Sequence, residues 1–367
     1  MNAGDGDPFS ASYAEARRKF LEAAHAAGLA VESIRHPEVG VEGEELAMDL
    51  ARDGAPDAQR LLIVSSGCHG VEGYCGSGIQ VDLLRDPGWR ASAQAARVAV
   101  LYIHGLNPYG FSHVRRTTHE NVDLNRNFHD FGQPLPVNKV YRDLHPLMVP
   151  ATWPPPLENG QAIAAWIGAN GMPAYQAAIS GGQHEYADGL FYGGTSPTWS
   201  NMTLREVLRA HGRRAAHIAW IDIHTGLGPS GVGERIHAGR DDPTLLARVR
   251  KWWGGEGKTP VTSIYDGSSS SAKLTGMMWT AIHDECPQAE YTGIALEYGT
   301  VPPMEALQAL RAEQWHRQHP EATPEQARQV REQVMSAFFT DTPAWKERIL
   351  AQGREVVGQA VAGLAES

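Results

Sequence analysis

His69 and Glu72 stand three residues apart in the segment SGCHGVEG. An imidazole nitrogen and a carboxylate at that spacing can meet at one metal ion, and the nitrogen–oxygen mixture suits Zn²⁺. Alone the pair is uninformative, because a polar loop histidine explains it equally well. His224, at the end of the apolar run in IDIHTGLG, adds a second imidazole. Two His and one Glu leave a fourth position open for water, the pattern of a catalytic zinc site, with one ion per chain. Glu297 ends another apolar run in GIALEYGT. A carboxylate there is costly unless it is paired or working. A general base beside the attacking water accounts for it, and so does a salt bridge. The stretch 107–128, NPYGFSHVRRTTHENVDLNRNF, crowds Arg115, Arg116, Asp123, Asn125 and Arg126 together. Guanidiniums fork onto carboxylates, so an anionic substrate is expected, the alternative being a salt-bridged surface loop.

The elements that must position these residues read as an α/β alternation. A helix is expected over Ser10–Ala27, ended by Gly28, and strands at 33–36 and 45–50. Leu61–Ser65 and Arg97–Ile103 read as buried strands on either side of a helix at Gly78–Arg85, the grammar of a parallel sheet. His217–Ile223, Val261–Tyr265 and Thr292–Leu296 read as three more strands. His69, His224 and Glu297 then sit at carboxyl ends of strands, where open α/β sheets carry ligands. Gly67, Gly70 and Gly73 are expected to serve the turn around His69. Proline-rich Gln133–Pro156 reads as a long irregular loop, and Leu157–Ile179 and Asn201–His211 as helices. Gly267–Ser271 reads as a mobile loop. The tail from Met304 to Ala365 reads as helices broken near Pro320, Pro324 and Pro343. The expected organisation is one domain, 1–367. Its motif-bearing core spans about 60–300, and 301–367 is a helical C-terminal extension.

Composition removes several classes. Lys plus Arg is 32 against 42 Asp plus Glu, a net charge of −10, and no basic run offers a nucleic-acid surface. Apolar runs such as Val98–Ile103 are far shorter than the roughly 20 residues a membrane span needs. The segment MNAGDGDPFS lacks a basic region followed by an apolar core. Cys68, Cys75 and Cys286 cannot build a disulfide framework, so a reducing cytoplasm is the expected compartment. GLGPSG (226–231) matches a dinucleotide fingerprint, but strand-like sequence follows where a helix is required. GEGKT (255–259) resembles a phosphate loop with Trp252 at the position of its first Gly. HExxH and GxSxG patterns are absent.

The ordered set HxxE, Asn-Pro-x-Gly, Arg, Asp-x-Asn-Arg, strand-borne His and strand-borne Glu resembles the zinc carboxypeptidases of the carboxypeptidase A type. Their relatives, the aspartoacylase and succinylglutamate desuccinylase group, share it. The phrases HGVEG, RRTTHENVDLNRNF, GLFYGG, DIHTGLG and EYGT look closest to a bacterial carboxypeptidase-like branch of unknown function. The resemblance covers about residues 60–300. It implies a mixed, largely parallel twisted sheet with helices on both faces. It implies zinc on His69, Glu72 and His224, with Asp123 orienting His69 through a hydrogen bond. Asn125 and Arg126 would hold a substrate carboxylate. Arg116 or Arg115 would steady the oxyanion, and Glu297 would be base and then acid. Tyr265, before a Gly-Ser stretch, resembles the mobile substrate-binding tyrosine of that family. The implied activity is a metallocarboxypeptidase-like cleavage of an amide in a small peptide. Deacylation of an N-acyl amino acid, or a non-catalytic metal- and ligand-binding role, are the alternatives. Lys273 is a candidate for preferring acidic side chains. Nucleic acid and membrane are not expected partners, and oligomeric state is not legible.

Overall fold

A computed structural model describes residues 6–255 and 259–367. Met1–Asp5, in the segment read as lacking a leader, and Glu256–Lys258, inside GEGKT, lie outside the described residues. The chain runs α1 (Tyr13–Ala26), β1 (Val31–Val39), β2 (Glu45–Asp53), β3 (Arg60–Ser66), α2 (Gly73–Arg85), α3 (Pro87–Ala95), β4 (Val98–His104) and α4 (Pro108–His113). It continues through α5 (Lys139–Met148), α6 (Leu157–Asn170), α7 (Met172–Ser180), α8 (Trp199–Gly212), β5 (His217–Ser230), β6 (Gly233–His237) and α9 (Pro243–Trp253). It closes with β7 (Val261–Thr262), α10 (Ala281–Glu285), β8 (Glu290–Gly299), α11 (Pro303–Gln318), α12 (Pro324–Phe338) and α13 (Pro343–Ala365).

Among the described residues, eight strands form one sheet in the order β1-β2-β4-β3-β5-β8-β6-β7. The centre, β4-β3-β5-β8, is parallel, while β1, β2 and β6 join antiparallel. The sheet is therefore mixed and largely parallel, as expected. Its central strands are apolar without alternation because both faces are covered; all of β4 is buried. Parallel register sets Ser66 of β3 beside Ile223 of β5, and His224 of β5 beside Glu297 of β8. Three chemically suited segments thus end on neighbouring strands.

Two sequence expectations need correction. The stretch Gln133–Pro156 is not an unbroken loop, because α5 lies within it. Asn138 caps that helix by accepting from the Tyr141 N–H (3.1 Å), and Tyr141, Leu144 and Met148 bury one face. Pro146 is tolerated because it lies on the exposed side near the helix end. The strand expected over Val261–Tyr265 is only Val261–Thr262, the chain turning at once into the Ser263–Ser271 segment. That segment is tied down: Ser270 N–H donates to Glu234 (3.0 Å), and Gln176 Nε2 donates to the Ser270 carbonyl (2.8 Å). In GLGPSG, β5 runs to Ser230 and β6 starts at Gly233, so strands flank a turn and no dinucleotide site forms.

The C-terminal helices pack onto the sheet and its neighbours. From α13, Trp345, Ile349, Val356, Val357, Ala360, Val361 and Leu364 are buried. Trp345 Nε1 donates to the Gly299 carbonyl at the end of β8 (2.9 Å). No described helix is long and apolar enough to cross a membrane.

Candidate metal centre

The turn after β3 delivers His69. Gly67 takes a positive φ of +73°, which frees the chain to leave the strand. Gly70 serves close packing, since a Cβ there would fall 2.0 Å from the Gly110 carbonyl carbon. Backbone bonds from Gly70 N–H to Arg116 O (3.2 Å) and Val71 N–H to Arg115 O (2.9 Å) seat the turn on the 115–116 segment. A single helical turn over Gly70–Glu72 then brings Glu72 back beneath His69.

The donors converge. His69 Nδ1 lies 2.8 Å from Glu72 Oε1, His224 Nδ1 lies 3.0 Å from Glu72 Oε2, and the two Nδ1 atoms are 3.3 Å apart. Ligand atoms of these three residues all fall within 4.8 Å of one another, and all three residues are buried. On the far side of each ring stands a carboxylate. Asp123 Oδ1 is 3.2 Å from His69 Nε2, and Asp222 Oδ2 is 2.5 Å from His224 Nε2. Asp222 behind His224 accepts its Nε2–H, His69 Nε2 lies between Asp123 and the Arg116 Nη2, and both Nδ1 atoms face each other and Glu72. Two imidazole nitrogens and a carboxylate facing one point make a donor set that fits a zinc ion held by His69, Glu72 and His224. The triad Cys68, Asp222 and His224 also falls within that spacing, but it shares His224 and takes Asp222 from its ring.

The charges follow the geometry. Burial opposes ionisation of Glu72, but the imidazoles of His69 and His224 outweigh it and hold the carboxyl well below the usual range. Burial likewise opposes a charged His224, and Asp222 then Glu72 overcome it and raise the ring's pKa. Asp123 is buried too, yet Arg116, Arg126 and His69 keep it ionised. Glu297 goes the other way. Burial and then the charge of Glu72 push it up to about 8. Its Oε1 accepts from the Leu227 N–H (2.9 Å), which aims the carboxyl beside His224. Burial pushes the thiols of Cys68 and Cys75 up, which suits packing and not a nucleophile.

The structure separates the two arginines. Arg116 lines the cleft, with Nε 2.9 Å from Asp123 Oδ2, Nη1 3.2 Å from Glu72 Oε1 and Nη2 2.8 Å from His69 Nε2. Arg115 is turned away, its Nε 3.0 Å from Glu313 on α11. Arg126 also lines the cleft. Its Nε and Nη2 donate to the Ser180 carbonyl (3.1 and 2.7 Å) and its Nη1 to the Asn125 carbonyl (2.8 Å). With five N–H groups on a guanidinium, one remains on each terminal nitrogen. Asn125 Oδ1 accepts from the Met278 N–H (2.9 Å), leaving Nδ2 as its donor. Tyr265 does not reach the cleft. Its hydroxyl donates to the Gly239 carbonyl (2.9 Å), and Lys273 sits over its ring at 5.6 Å, also outside the lining.

Two residues escaped sequence reasoning. Asp222 shares a strand face with His224 by the period of two, and D-x-H in a buried strand was its available signal. Ser65 on the neighbouring strand steadies it (2.5 Å), itself accepting from Trp220 Nε1 (2.7 Å). Phe191 stands beside both cleft arginines, 5.1 Å from Arg116 and 5.8 Å from Arg126. It holds a left-handed φ of +51°, strained for an aromatic residue, which only tertiary contacts reveal.

The molecule is thus an α/β protein with a candidate metal centre at the carboxyl edge of its sheet. It belongs to the family described as protein of unknown function (DUF2817), whose model matches residues 9–352. No curated protein matches the chain. Among solved structures it is similar to the carboxypeptidase A from Helicoverpa armigera, at 14% identity and a TM-score of 0.42, covering 90% of this chain and 74% of that one. It is also similar to bovine thrombin-activatable fibrinolysis inhibitor in complex with tick carboxypeptidase inhibitor, at 13% identity and 0.47, covering 95% and 98%. A third is the metallo-carboxypeptidase from Pseudomonas aeruginosa in complex with (2-guanidinoethylmercapto)succinic acid, at 15% identity and 0.41, covering 95% and 70%.

Proposed function

We propose that this protein is a zinc-dependent hydrolase of an amide bond in a small, carboxylate-bearing substrate. The observation that carries the reading is the convergence of two Nδ1 atoms and Glu72 on one point, each ring backed by a carboxylate. When bound, the ion supplies Lewis acidity toward a water and a carbonyl. Glu297, at the rim of the cluster, takes a proton from the attacking water and hands it to the departing amine. A carboxyl that burial holds near neutrality can do both, and a dication nearby would draw it back toward the ionised form. Arg116 donates to the oxyanion as charge develops. Arg126, through its two remaining N–H groups, and Asn125, through Nδ2, hold the carboxylate and fix the scissile bond.

Both C-terminal cleavage of a peptide and deacylation of an N-acyl amino acid meet these requirements, since each cuts an amide near a carboxylate. We read the chain as a single domain acting in the cytoplasm, the latter resting on its three free, buried cysteines. The test is metal analysis after equilibrium dialysis, paired with turnover of short peptides and N-acyl amino acids with and without chelator. About one zinc per chain and chelator-sensitive cleavage are expected. A metal-free protein under saturating zinc, or cleavage indifferent to the chelator, would reject the reading.

A further inference from the structure

The cleft that holds the cluster is larger than a small carboxylate needs. It encloses about 420 Å³, within the range that buries a drug-sized ligand. Its charged groups are confined to the cluster and its immediate neighbours: His69, Glu72, Arg116, Arg126, His224 and Glu297. The rest of the wall is uncharged and largely apolar. Tyr175 and Ile179 come from α7, Leu307 and Leu310 from α11, and Phe338 from the end of α12. Met172 also lines the cleft and is 45% exposed, so the apolar wall reaches the surface. No charged side chain occurs on the stretch that carries α6 and α7, between Glu158 and His184.

Resting on the hydrolase reading, we propose that the substrate is a monoanionic amphiphile, an N-acyl amino acid with a long apolar acyl chain. Its carboxylate meets Arg126, its amide lies at the cluster, and its chain fills the apolar cleft toward Met172. Water adds to the amide carbonyl and the C–N bond breaks. The acyl group leaves as a fatty carboxylate and the amino acid as its amine, which takes the proton carried by Glu297. Filling this wall with methylenes releases water from apolar surface, about a three- to fourfold gain per methylene. A second charge on the substrate would be buried without a partner. A peptide with an apolar C-terminal residue would present similar chemistry from the other side of the scissile bond.

The experiment uses the zinc-loaded full chain and acetyl-, butanoyl-, octanoyl- and dodecanoyl-alanine, beside blocked dipeptides ending in Phe, Leu, Asp or Lys. We expect kcat/KM to climb about three- to fourfold per methylene as far as octanoyl, and the acyl-alanines to surpass every dipeptide. Leu307→Asp, at a half-buried position, should lower octanoyl-alanine turnover about tenfold or more and flatten the chain-length gradient. A flat acyl series overturns the proposal, and so does faster cleavage of any dipeptide. Calorimetric binding of the same acyl series to Glu297→Gln separates the two readings. A chain-length gradient in binding without turnover by the native chain sinks the hydrolase and keeps the ligand class. Absence of the gradient from both binding and turnover sinks the ligand class.

Discussion

At the scale of single residues, the cluster works only if each ring is held in one orientation. Asp222 does this for His224 and Asp123 for His69. Replacing Asp222 with Asn leaves the volume intact but removes the charge that secures Nε2–H. Zinc affinity should fall about 10- to 100-fold, read by competition with a chromophoric chelator. Unaltered affinity would show that the strand alone orients the ring. On the proposed mechanism, Glu297→Gln should leave zinc binding intact and lower kcat about 10²- to 10⁴-fold, since it removes the proposed proton carrier and none of the proposed ligands. Arg126→Ala should act mainly on KM for carboxylate-bearing substrates, because the guanidinium lines the cleft, keeps two N–H groups uncommitted and is not one of the proposed metal ligands. A fall confined to kcat would place that guanidinium at the reacting carbonyl instead.

At the scale of elements, the HxxE turn is placed by its packing on α4 and the 115–116 segment. Gly70 touches the Gly110 backbone so closely that no side chain fits. Gly70→Ala should cost about 1–3 kcal/mol by overpacking, seen in chemical denaturation, and should weaken zinc binding by moving His69 and Glu72 together. A variant with native stability would mean that the turn can shift without loss. The expected strands at 61–65, 217–223 and 292–296 lie within β3, β5 and β8, because short apolar runs bounded by Gly and Ser admit few other readings. The helix at 139–148 was illegible amid prolines. What makes it a helix is the burial of Tyr141, Leu144 and Met148 against partners far along the chain.

At the scale of the whole molecule, the C-terminal helices contribute to stability, and the proposed zinc would add to it. An ion that binds only the folded state at about a thousand times its Kd adds roughly 4 kcal/mol, so chelation should lower Tm by several degrees. An identical Tm with and without chelator would argue against a site in the native fold. Residues 301–367 do more than extend the fold. Phe338 reaches the cleft, Arg60 Nη2 donates to the Ser367 carbonyl (2.8 Å), and Trp253 Nε1 donates to the Val356 carbonyl (3.0 Å). A chain ending at residue 300 should therefore lose its cooperative unfolding transition, measured by circular dichroism.

Residue types and their order are properties of the string, and they carried the α/β alternation and the candidate set of His69, Glu72, His224, Asp123, Arg126 and Glu297, which the fold gathers around one cleft. Hydrophobic runs and strand-end polarity depend on neighbours a few positions away, so they can be read locally. The orientation of Arg116 into the cleft and Arg115 out of it depends on Glu313, nearly two hundred residues downstream. The same holds for Tyr265, drawn away by the Gly239 carbonyl, and for the apolar wall assembled from α7, α11 and α12. Those choices belong to the tertiary structure because side-chain direction is settled by whichever distant partner satisfies a buried charge or hydroxyl, and no local pattern names that partner.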